Sequence, residues 1–201
     1  MTFLPIQEIA KSNEHIRFPG TLTIGWETVI RAWIDIGDSV ARAGVRKLVI
    51  ITSHGGNVAP MDIVARELRE RHDMLVITTS WGRLGRWQEV YSYEGPIVDI
   101  HGGLSETSPM LVLRPDLVDM KKAKDFKSSQ AELKARYEHL GWHGSNANAA
   151  WLAEDLNPEG PVGDAASADP ALGQAEIDNE VGGFVQLMRE IHDMTPPEAG
   201  R

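Results

Sequence analysis

The residues best equipped for chemistry in this chain are histidines flanked by glycines. Ser53-His54-Gly55-Gly56-Asn57 follows the apolar run Leu48-Val49-Ile50-Ile51, and His101-Gly102-Gly103 comes later with Glu106 three residues beyond. A neutral imidazole is a ligand for zinc, manganese or iron, and it can carry a proton near neutral pH. Glycines allow a sharp turn after a strand and a close approach of backbone to a ligand. A carboxylate at a helix start is favoured in its ionised form and can bind a divalent cation. Two such loops point to a metal-bearing or hydrolytic site. Each loop also has a plainer reading. Asn57 can cap a helix, as can Ser105 or Thr107, with Glu106 as a first-turn partner of the helix dipole.

The elements around these loops are legible from hydrophobic spacing. Trp26, Val29, Ile30, Trp33, Ile36 and Val40 recur at helical period over 23–43, with Gly44 as the stop, and both tryptophans are expected in the core. A branched strand at 47–52 ends at His54. A helix over 58–71 places Met61, Val64, Ala65 and Leu68 on one face, and a strand at 74–79 follows. Strand, helix, strand predicts a βαβ unit and a parallel sheet, whose C-terminal edge is where ligands gather.

Farther along, 81–98 reads as a loop with Trp81, Trp87, Tyr91 and Tyr93, and Trp81 is placed on a pocket wall. A short strand is expected at 97–100. A helix starts near Ser105 or Thr107, with Pro109 in its first turn and Met110, Leu111 and Leu113 facing inward. The lysine-rich 121–140 is partly helical with its lysines solvated. A long functional or interfacial loop spans 141–173. A final helix covers 173–194 with Ile177, Val181, Phe184, Leu187, Met188 and Ile191 as its apolar side, and 195–201 is a tail. His72, His139 and His192 read as solvated, and His143 as part of a surface loop.

Composition sets the outer limits. A chain of 201 residues fits a single domain, 1–201, able to bury a substantial core. The net charge of -9 argues against a nucleic-acid groove or an anionic membrane as partner. With no cysteine, any metal must be held by histidine, aspartate and glutamate. No apolar stretch approaches the roughly 20 residues of a transmembrane helix, and the first residues do not read as a signal peptide. A cytoplasmic location is therefore expected.

The motifs together resemble a known family. Phe18-Pro19-Gly20-Thr21, the segment ARAGVRKLVI at 41–50, SHGGN, HGGLSETSPML at 101–111 and RPDLVD at 114–119 occur in the order and spacing of the creatininase (creatinine amidohydrolase) family, and the resemblance runs from Leu4 to Met194. It implies an α/β fold: three-layer α/β/α with a mostly parallel sheet. It also implies a divalent metal centre (zinc, manganese or iron), a small-molecule amide substrate and a homo-oligomer, often a hexamer. By the same resemblance His54 is a metal ligand, Glu106 a ligand or catalytic carboxylate, and His101 the proton carrier. His15, Gly55, Gly56, Trp81, Gly102 and Gly103 line the substrate site.

The chain also departs from the family pattern. Members open with a strand and a glutamate–glutamine–histidine–glycine motif followed by an aspartate, all serving the metals. Before the FPGT segment this chain has only Glu8, Glu14 and His15, at spacings that do not match. It is thus expected to begin inside the family's domain, without its first βα portion. In creatininase the second glycine of HGGN is a glutamate ligand; Gly56 has no side chain, so Glu106 becomes the substitute. The expected function is hydrolysis of a cyclic or linear amide by a metal-activated water. The rival is a silent member acting as a binding or assembly subunit. An uncovered sheet edge would favour self-association.

Overall fold

The structure is a computed structural model that describes residues 1–91 and 99–196. The chain forms two compact units, Met1–Gly85 with Gly182–Arg201, and Arg86–Val181.

The first unit holds helix α1 (Trp26–Arg42), strand β1 (Lys47–Thr52), helix α2 (Val58–His72) and strand β2 (Leu75–Ser80). The strands pair in parallel, from Lys47 opposite Leu75 to Thr52 opposite Ser80. Parallel pairing needs a crossover, and α2 supplies it. Ile34 and Ala41 of α1 pack with Val64 and Leu68 of α2 and with Met74, and Leu48, Ile50 and Val76 of the sheet close the cluster. Asp73 ends α2 in the left-handed region (φ 53), its N–H reaching Arg69 O. A short side chain that can bond locally tolerates that conformation.

In the second unit the elements are short: α3 (Trp87–Val90), α4 (Leu104–Leu113), β3 (Asp125–Phe126), α5 (Gln130–Arg136), β4 (Leu140–Gly141), β5 (Ala147–Asn148), α6 (Ala153–Leu156) and β6 (Gly163–Asp164). The final helix, α7 (Pro170–Asp193), begins in this unit and ends in the first. β3 pairs antiparallel with β6, and β4 parallel with β5. Leu104, Ala153, Leu156, Val162 and Ala165 are buried apolar residues, and Ser108 and Gln130 are buried polar ones. Among the described residues no helix is long and apolar enough to cross a membrane.

The strand at 47–52 and the two flanking helices stand where periodicity placed them, within a few residues. Several expectations are corrected. Trp26 is 56% exposed, because it opens α1 and its side chain lies beyond the packed face. Leu113 and Met110 are also exposed, since α4 buries its opposite side through Leu104 and Ser108. Pro109 lies inside α4 rather than in its first turn. Val181 is exposed, whereas Ile191 at the end of α7 is buried. His72 is not simply solvated: its Nε2 lies 2.7 Å from Asp38 Oδ1, tying the end of α2 to α1.

The region 141–173 is no continuous loop, because side chains satisfy its backbone. The Gln130 amide accepts from Trp142 N at 2.7 Å and donates to His143 O. His143 is exposed, as expected of a surface position, and so are His139 and His192. The strand expected at 97–100 and the loop residue Tyr93 fall partly or wholly outside the described residues; Asp99 and Ile100 have no strand assignment. Of the expected tail, 195–196 lack regular structure and 197–201 lie outside the described residues.

Candidate active site

At the end of β1 the chain is held by Thr52, which is 5% exposed. Its hydroxyl accepts from His54 N at 3.0 Å and from Asn57 Nδ2 at 3.1 Å, and donates to His54 O at 3.0 Å. Asn57 therefore does not cap α2 with its side chain. It bridges instead, since its Oδ1 accepts from Lys11 N at 3.0 Å and docks the N-terminal segment onto the loop. Ser12 N donates to Thr23 Oγ1 at 2.9 Å, and a single 3-10 turn, Asn13–His15, follows. Thr21 Oγ1 donates to His15 O at 2.9 Å and closes that turn from the other side.

These contacts bring Glu14 and His15 to His54. Glu14 Oε1 lies 2.5 Å from His54 Nε2 and 3.9 Å from His15 Nε2. One ligand atom from each of the three residues falls within 4.8 Å of the others. His54 Nε2 is solvent-inaccessible and, among the described residues, has no aligned hydrogen bond. The short contact to Glu14 is thus one of proximity and not of N–H direction. Buried polar atoms are nearly always paired, so an orphaned nitrogen pressed against a carboxylate is an arrangement that a cation completes. Two imidazoles and a carboxylate match the three protein donors typical of a catalytic zinc and also suit manganese or iron.

Gly56 is part of this geometry. A Cβ there would come within 2.7 Å of His54 Nε2 and of Lys11 O, and within 2.9 Å of Glu14 Oε1. The bare glycine is what admits the Glu14 carboxylate. Glu14 was missed in the sequence because its spacing matches no ligand motif; contacts distant in sequence, among them the Asn57–Lys11 bond, bring it to His54. Trp81, expected on a pocket wall, packs against Phe184 with ring centroids 5.5 Å apart and planes tilted by 48°.

The second histidine loop lies wholly in the second unit. Glu106 sits exposed in the first turn of α4, and its Oε2 accepts from Gly102 N at 2.8 Å. Ser105 is not a cap; its N–H donates at 2.8 Å to Asp99 Oδ2, which takes that place. A Cβ at Gly103 would come within 2.1 Å of Asp99 Oδ1, so this position must remain glycine. His101 Nε2 lies 2.6 Å from Gly160 O, and its ring stacks on Trp151.

Behind this loop is an acidic group that sequence spacing did not reveal. Glu176, 9% exposed, accepts from Tyr91 Oη at 2.5 Å. Burial pushes Glu176 up to about 7, and the Tyr91 hydroxyl holds it partly down. Burial raises the Tyr91 hydroxyl above the usual tyrosine range, with the Glu176 contact adding to the effect. Asp99 is likewise raised by burial, against the opposing bond from Ser105, and burial raises Glu180 too. Burial is the first cause of the upward shift in each of these carboxyls.

The chain is thus an α/β protein with a histidine–carboxylate donor cluster at a strand end. The family model described as creatinine amidohydrolase matches residues 1–188. A creatinine amidohydrolase from Pseudomonas putida is 36% identical over 126 residues, 57% of this chain and 48% of that protein. A mycofactocin precursor peptide peptidase from Mycobacterium ulcerans is 34% identical over 107 residues, 53% of this chain and 37% of that protein. The chain spans about half or less of the length of these relatives. Among solved structures, a creatinine amidohydrolase (creatininase) superposes with a TM-score of 0.69 at 26% identity, over 92% of this chain and 73% of that one. A mutant creatininase of Zn–Zn type gives 0.66 at 26% identity, over 87% and 67%. The chain belongs to the creatininase family and has its α/β fold.

Proposed function

We propose that this chain is a metal-dependent amidohydrolase that cleaves the C–N bond of a small cyclic or linear amide. The observation that carries the proposal is the buried, unaligned His54 Nε2 beside Glu14 Oε1, with His15 in reach. His54, Glu14 and His15 would hold the ion, and the motif match keeps Glu106 as a further ligand or catalytic carboxylate. A divalent metal in such a place polarises an amide carbonyl and makes water a better nucleophile.

The remaining work belongs to side chains and backbone. His101 moves the proton from the attacking water to the departing nitrogen. Backbone amides of the glycine loops are proposed to assist the oxyanion. His15, Gly55, Gly56, Trp81, Gly102 and Gly103 are proposed to line the substrate. The relatives, one a creatinine amidohydrolase and one a peptide peptidase, support amide hydrolysis as the reaction and leave creatinine, a formamide and a peptide-derived amide as the substrates to try. A homo-oligomer working in the cytoplasm completes the proposal.

The test is to add zinc or manganese to the purified chain and follow hydrolysis of creatinine, formamide and a short peptide amide. Metal-dependent release of product that His54→Ala abolishes is the expected result. Metal-independent hydrolysis, or none from any substrate with metal bound, would overturn the proposal. The second outcome would favour a silent binding subunit. The bonds of Glu106 to Gly102 N and of His101 to Gly160 O fit that reading, because both also serve structure.

A further inference from the structure

Two of the three donors at the candidate metal centre, Glu14 and His15, ride on one stretch of the first unit, residues 10–24. The stretch closes on itself. Ile24 N donates to Ala10 O at 3.0 Å, Ser12 N to Thr23 Oγ1 at 2.9 Å, and Thr21 Oγ1 to His15 O at 2.9 Å. Ends that meet across irregular backbone make it a compact surface loop of the Ω kind. Its one regular element is the 3-10 turn Asn13–His15. None of its residues is fully buried, and Ile16 and Leu22 stand exposed. Little apolar area therefore holds it down, which places it at the low-stability end of the unit. A single turn does not persist alone in water, so its internal bonds loosen when it leaves the surface beneath.

Where this stretch meets the loop after β1, its contacts are polar. Lys11 N donates to Asn57 Oδ1 at 3.0 Å. Lys11 O lies so near Gly56 that a Cβ there would come within 2.7 Å of it. Glu14 Oε1 lies 2.5 Å from His54 Nε2, and the His15 and His54 rings approach with centroids 5.9 Å apart. Asn57 is fixed from below, because its Nδ2 donates at 3.1 Å to Oγ1 of Thr52, the buried last residue of β1. The carboxamide thus has one end on the sheet and the other on residues 10–24.

We infer that Asn57 is a positioning residue for the metal centre: it latches residues 10–24 against His54 as a strap, and closing the strap and binding a divalent cation are one coupled equilibrium. The inference rests on the reading of Glu14, His15 and His54 as the donors. An open strap carries two of those donors away and leaves His54 to bind alone, so the open form has little affinity for the cation. A ligand that binds only the closed form stabilises it by mass action. The coupling is reciprocal: whatever loosens the strap weakens the cation's hold, and the cation makes up for a weakened latch.

Hydrogen exchange of the full chain with and without zinc, read by mass spectrometry, tests this, while isothermal titration reports separately whether zinc binds. Without metal, the amides of 10–24 are expected to exchange ahead of those of α2. Zinc at about one hundred times its Kd slows them about a hundred-fold. Asn57→Ala speeds their exchange about ten-fold in the metal-free chain, and zinc slows it again. The wild-type comparison does not depend on the variant folding. Exchange of 10–24 in step with α2, or no change in a folded Asn57→Ala, would overturn the inference. Zinc binding with unaltered exchange of 10–24 would overturn this inference alone; no zinc binding in the titration would overturn it together with the metal reading of the site.

Discussion

His54 and Glu14 meet without sharing an aligned proton, and the behaviour of this pair decides whether the chain holds a metal. If Glu14 is a ligand, Glu14→Gln keeps the volume and removes the charge, and affinity for zinc or manganese falls by at least about ten-fold. Isothermal titration with each metal measures this, and unchanged affinity would exclude Glu14 from the centre. Gly56→Ala probes the same pair from the backbone side. Its new methyl must displace the Glu14 carboxylate or the His54 ring, so metal affinity should drop while the fold loses about 1–3 kcal/mol. His54 and His101 could be singled out in the sequence because each is followed by two glycines, and of the two the structure groups His54 with further metal-capable side chains. Glu14 was not readable. It meets His54 through a contact made across distant sequence, and no local pattern marks it.

The elements show the same division between local and non-local information. Asn57 has the composition of a helix cap, and the sequence alone assigns it that role. In the fold it holds Thr52 with one end and Lys11 with the other. Asn57→Ala should cost about 1–3 kcal/mol by leaving part-buried groups unpaired, and it should loosen Glu14 from His54. Urea denaturation checks the first effect, and metal titration of the same variant checks the second. α1, β1, α2 and β2 were legible because their apolar periodicity is long and their burial is one-sided or continuous. The second unit was poorly legible because its elements are two to ten residues long. Side-chain bonds such as those of Gln130 organise it, and these leave no periodic trace.

On the scale of the whole molecule, the buried acidic residues set a dependence of stability on pH. Glu176 has a folded value of about 7 against an ordinary 4.5. Between those values the folded chain keeps a proton that the unfolded chain has lost. Stability therefore falls as pH rises from about 4.5 to about 7 and levels off above it, with respect to this group. The upward shifts of Asp99 and Glu180 act in the same sense. Glu176→Gln keeps an acceptor for Tyr91 and removes the ionisation. It should raise the melting temperature at about pH 8 and change it little at about pH 5; equal shifts at both would contradict the assignment. Exposed apolar residues, among them Phe3, Ile6, Leu22 and Trp26, fit a chain that self-associates. Light scattering should find an assembly larger than a monomer, and a well-behaved monomer would count against it.

The proposed activity requires a metal held by Glu14, His15 and His54. Purified chain, loaded with zinc or manganese and dialysed against metal-free buffer, can be analysed for bound metal beside His54→Ala and Glu14→Gln. The prediction is near-stoichiometric metal in the wild type, little in Glu14→Gln and none in His54→Ala. A wild-type chain that emerges without metal, or a His54→Ala variant that retains as much, would contradict it.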